Sequence, residues 1–85
     1  MQHNKKEMIL KSLSSACKKF RGKKSQKLLG DEYDIPSSVI SDIERVTKDP
    51  QLTALFKLSH TFNIFLSDFI KEIENNLPKD FLLYN

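Results

Sequence analysis

SQKLLGDEYDIPSSVISDIE, running from Ser25 to Glu44, reads as two short helices joined by a tight turn. Ser25 is placed to cap a helix over about 26–33, whose inward face would be Leu28, Leu29 and Tyr33, with Gly30 small enough for a close helix crossing. Ile35 and Pro36 interrupt the pattern before Val39, Ile40 and Ile43 resume it, which predicts a second helix over about 37–45. Pro36 suits the first turn of that helix, where no backbone N–H is needed for the ladder. The spacing is that of a helix-turn-helix unit at 25–45.

Outward from this unit the apolar period stays helical. Ile9, Leu13, Ala16, Cys17 and Phe20 recur at i, i+4, i+7, i+8 and i+11, predicting a helix from Asn4 or Lys5 to Phe20 that ends at Gly22. A further helix is predicted over about 51–61, with Leu52, Leu55, Phe56, Leu58 and Phe62 facing in. The last is predicted to start after Ser67 as its N-cap, with Asp68 favourably set against the helix dipole, to carry Phe69, Ile70 and Ile73, and to stop near Asn75 or Asn76. The reading is an all-α, compact five-helix domain over 1–76 with a short apolar tail at 77–85. Four consecutive large apolar residues, Phe81 to Tyr84, are an aggregation hazard in water, so the tail either folds back on the core or meets a partner, most simply a second copy.

Net charge is only +3, but residues 1–27 hold nine of the fourteen basic residues and one acid, giving +8 there and −5 in the remainder. Such a gradient is the footprint of a surface that meets phosphate; the plainer reading is a solvated lysine face on an amphipathic helix. One cysteine allows no internal disulfide and fits a reducing cytoplasm. No apolar run approaches the ~20 residues needed to span a bilayer, and the N-terminus lacks the apolar stretch of a signal peptide. A soluble, cytoplasmic protein is the expectation.

Ser25, Gln26, Leu29, Gly30, Ile40, Ser41, Ile43 and Glu44 match the Ser-Gln-x-x-Leu-Ala, turn, Ile-Ser-x-Ile-Glu pattern of the lambda-repressor-like (Cro/Xre) DNA-binding proteins, which the chain resembles. Asp49-Pro50-x-Leu52-x-x-Leu55-x-x-Leu58 is similar to the family's next helix, and Ile64-x-Leu66-Ser67-Asp68-x-Ile70 to its last, so that about 45 of 85 residues are covered. Two positions depart from the pattern. Lys24 stands where the family has an aliphatic residue, implying a looser or longer junction, and Val46 stands where it has a glycine in left-handed conformation. A β-branched residue tolerates positive φ poorly, so a different cap is expected at the end of that helix.

The resemblance implies a small transcriptional regulator that binds double-stranded operator DNA as a homodimer, with two recognition helices in major grooves ~34 Å apart. Backbone contacts would come from Lys24, Ser25, Gln26 and Lys27 at the start of the second helix and from Arg45 and Lys48 after the third. Base-facing positions would be Ser37, Ser38, Val39, Ser41 and Asp42, although Ser37 and Ser38 could instead spend their hydroxyls capping the helix. These are poor readers beside the Arg–guanine and Gln/Asn–adenine pairs, worth ~1–3 kcal/mol each, so affinity should rest on the lysines and specificity be modest.

The opposing expectation is an antitoxin or protein-interaction module that kept the fold with weak or no sequence-specific DNA binding, its partner a toxin or another protein. Enzymatic signals are lacking: Asp31 and Glu32 are adjacent and diverge on a helix, and His3 and His60 have no ligand-spaced neighbours. Cys17 on the apolar stripe reads as a buried structural thiol. No catalytic residue, metal or cofactor is expected.

Overall fold

A computed structural model describes residues 3–28 and 35–82. Helix α1 runs His3–Arg21, α2 begins at Gln26 and is described over 26–28, and α3, α4 and α5 run Ser37–Glu44, Leu52–Thr61 and Leu66–Asn75. Among the described residues there is no strand, and no helix is long and apolar enough to cross a membrane. The predicted inward residues Leu29 and Tyr33, Gly30 at the helix crossing, the acidic pair Asp31 and Glu32, and residues 83–85 of the tail lie outside the described residues.

The stripe on α1 is the spine of the core. Leu13, Ala16 and Cys17 are buried against Ile35, Ile40, Ile43, Leu58, Phe69 and Ile73, so that α1 packs on α3 along one side and on α5 along the other. Phe20, Phe62 and Phe69 close one end as an aromatic triad, with ring centroids 5.8 to 5.9 Å apart in one stacked and two edge-on pairs. Two buried serines on α1 are satisfied across these seams: the Ser12 hydroxyl donates to the Ile73 carbonyl of α5, and Ser14 to the Glu44 carbonyl of α3 at 2.7 Å. In the tail, Phe81 is half-buried and the Lys5 ammonium donates to the Leu82 carbonyl at 2.6 Å, which ties the described tail to the start of α1.

Three helices end the same way, through a residue in the left-handed region: Gly22 (φ 60°), Val46 (φ 62°) and Asn63 (φ 59°). After α3 the Val46 N–H donates to the Ile43 carbonyl at 3.1 Å and Thr47 N–H to Asp42 at 3.0 Å, and α4 repeats the arrangement with Asn63 to His60 and Ile64 to Ser59, both 3.0 Å. These are Schellman caps. The expectation of a different cap at Val46 is therefore wrong: two recovered carbonyl bonds outweigh the ~1–2 kcal/mol that a side chain pays for this conformation.

Other sequence expectations are corrected by packing. Leu28 is 47% exposed, Leu52 61% and Phe56 47%, so none belongs to the inward face assigned to it. Helix α5 starts one residue before Ser67, with Phe65 as its N-cap and no side-chain capping bond; Ser67 lies within the first turn.

Candidate nucleic-acid interface

Glu44, the last residue of α3, turns back under the helix and is 6% exposed. A carboxylate at a helix C-terminus opposes the helix dipole, so something else must hold it there. Arg21 at the end of α1 donates from Nε to Oε2 at 2.7 Å and from Nη2 to Oε1 at 2.8 Å, a two-point clamp. Gln26, the first residue of α2, donates from Nε2 to Oε1 at 3.0 Å, and the Cys17 thiol lies 3.7 Å from Oε2. Burial pushes the Glu44 carboxyl up, but hydrogen bonds from Arg21 and Gln26 more than offset it and hold the group below its ordinary range. Burial, then the neighbouring Glu44 charge, pushes the Cys17 thiol up to about 12, so it is an inert structural donor. One carboxylate thus fastens the end of α1, the start of α2 and the end of α3.

Around that fastening lie the residues predicted to meet phosphate. Ser25 accepts the Leu28 N–H at 3.0 Å, capping α2 as expected while keeping its own hydroxyl proton to donate. Lys24 is exposed, its carbonyl accepting the Arg21 Nη1 at 2.6 Å. Lys27 is exposed and, like Lys18 and Lys23, has no acidic partner among the described residues. Four other basic residues of α1 are paired with acids, Lys6 with Asp49, Lys11 with Glu7, Lys19 with Glu72 and Arg21 with Glu44, and Lys5 donates to the tail. The cations without an acidic partner among the described residues, Lys18, Lys23 and Lys27, thus lie at the end of α1 and the start of α2. Gln26 is the exception to its prediction, because its side-chain amide nitrogen is turned inward onto Glu44.

On α3, Ser37 and Ser38 are exposed and neither caps the helix, so the capping alternative does not hold and both hydroxyls face outward. Ser41 follows half-buried on the same side. Val39 does not belong with them: it packs on the core beside Ile35, Pro36 and Ala54, roughly 100° around the helix from Ser38. Asp42 is half-buried and held by both cations that follow it, Arg45 Nη2 at 3.0 Å on Oδ1 and Lys48 Nζ at 3.4 Å on Oδ2. Desolvation raises its carboxyl, but the bonds from Arg45 and Lys48 prevail and leave it below its ordinary value. Two predicted phosphate contacts and one predicted base contact are thereby bound to one another.

Among the described residues no group of three His, Cys, Asp or Glu side chains is placed to hold a metal ion. What sequence reading missed is Glu44 as a fastening point; the available signal was its unfavourable position at a helix C-terminus, with Arg21 next to a helix-ending glycine. Compared with known proteins, the chain matches no family model, no curated protein and no solved structure.

Proposed function

We propose that the chain is a small DNA-binding transcriptional regulator of the lambda-repressor-like (Xre) type that binds operator DNA as a homodimer, with α3 in the major groove. The observation that carries this reading is the Gln26–Glu44–Arg21 fastening, which ties the turn bearing Lys23 and Lys27, cations without an acidic partner among the described residues, to the serine face of α3. Backbone-binding cations and a groove-facing helix must keep a fixed relation for a protein to register on a duplex. In this reading Lys23, Lys24, Ser25 and Lys27 meet phosphates, while Ser37, Ser38 and Ser41 lie toward base edges. Serine is a permissive single-bond reader, so sequence preference is modest and affinity is dominated by counterion release.

A second reading, a protein-interaction module of the same fold, is favoured by one observation: Asp42 pairs with both Arg45 and Lys48, cancelling one of their two charges, on the face that would approach DNA. Titrating labelled duplex DNA from the upstream promoter against a scrambled duplex separates the two. Binding with a preference of about tenfold or more supports the regulator, and no binding of either duplex at low salt supports the module.

A further inference from the structure

The core grips only the later part of α1. From Asn4 to Lys11 no residue is buried, with Ile9 and Leu10 half-buried, and burial begins at Ser12 and Leu13. Open clefts flank this start of the helix, one of about 540 Å³ toward Arg45 and Val46 and one of about 340 Å³ toward Asn76 and Leu77. Its first turn also opposes the helix dipole, holding no acid and placing Lys5 and Lys6 at the end that favours anions. Two turns with so little packing are marginal on their own, because most helical stability in a protein comes from a packed face. The ion pair from Lys6 to Asp49 is long, at 4.0 Å, and exposed on both sides, so it adds little.

The C-terminal tail reaches this segment from the far end of the chain. After α5 the backbone turns at Pro78, with the Phe81 N–H donating to the Pro78 carbonyl at 3.0 Å, and Phe81 is half-buried. The next residue, Leu82, is exposed, and its carbonyl accepts the Lys5 ammonium at 2.6 Å. A carbonyl set against Lys5 offsets a charge that the dipole disfavours, and a chain terminus is well ordered only where it is tied down. We infer that residues 78–82 are a strap that holds the first two turns of α1 in the helix, and that this part of α1 opens as a unit separate from the core. Whatever displaces the tail thereby releases Lys5, Lys6 and Lys11 from a fixed helical face. The inference does not depend on what the chain binds.

Amide hydrogen exchange of the full chain, read residue by residue by NMR, tests the inference. The amides of Glu7 to Lys11 are the first in α1 with a carbonyl partner inside the helix, so they report on these turns. In the wild type they are protected, though less than those of Leu13 to Phe20. Phe81→Ser, and separately deletion of residues 81–85, speed their exchange by about tenfold or more, while the amides of Leu13 to Phe20 and of α3 stay within about threefold of wild type. Unchanged exchange at Glu7 to Lys11 in both variants overturns the inference and leaves the tail a bystander, and a wild type unprotected at those amides overturns it too. Acceleration shared by every helix also overturns it, because the tail then belongs to the cooperative core.

Discussion

Two carboxylates stand two residues apart on α3, each gripped by an arginine, and they do opposite things. Glu44 is buried, receives four donors from two other helices and holds the fold together. Asp42 is half-buried and grips cations from the cap and turn that follow its helix, in pairs whose side chains are 66% and 73% exposed on the cationic side. The chemistry is the same and the dielectric differs. A buried pair broken on one side leaves an uncompensated charge, whereas exposed pairs contribute little to stability but set what the surface offers to a polyanion.

The largest effect that would break this comparison is on Glu44. Glu44→Ala strands Arg21 and Gln26 and costs about 3 kcal/mol, a melting point lower by roughly 12–24 °C in a domain of this size. Asp42→Asn lowers the melting point by at most roughly 4–8 °C, and calorimetry of the two variants reads the contrast directly. The same pairing fixes the pH response. Since Glu44 titrates below its unfolded value of ~4.3, its contribution is present above that pH and is lost as pH falls through the folded pKa. Glu44→Gln should flatten the acid limb of stability against pH, and Asp42→Asn should flatten it less, because its solvent-screened partners make its depressed carboxyl count for less.

On the DNA side the order reverses. Reversing charge at the α1–α2 turn with Lys23→Glu and Lys27→Glu together should weaken duplex binding about 10- to 100-fold for all sequences, measured by fluorescence anisotropy, without lowering stability. Asp42→Asn should do the opposite, strengthening binding about 3- to 10-fold by releasing Arg45 and Lys48 and steepening the salt slope by up to about 2. If it instead abolishes preference among duplexes, Asp42 reads a base rather than restraining the cations. The smallest effect is at the cap beside these residues: Val46→Gly should stabilise by about 0.5–1 kcal/mol, read by denaturant titration, because the strain relieved exceeds glycine's entropic cost.

Much of the fold was legible because it rests on local period and local chemistry. The stripe on α1, the Ser25 cap and the bounds of α3 follow from spacing and from a hydroxyl at the right position. Leu28, Leu52 and Phe56 misled because hydrophobicity marks a side chain as suited to burial without saying whether its own monomer supplies the partner. Ser67 misled because the chain turns into α5 two residues earlier, where Phe65 places its carbonyl. At the site, exposure of Ser37, Ser38 and Lys27 could be read from pattern. The inward turn of Gln26 could not, because Arg21, Gln26 and Glu44 are brought together only when three helices pack.

The central claim is that phosphate contacts from the α1–α2 turn dominate binding. Its most direct test is the association constant for one duplex measured between 50 and 300 mM salt. A log–log slope of about −3 or steeper is predicted. A flat slope, or no binding at the lowest salt, would contradict it.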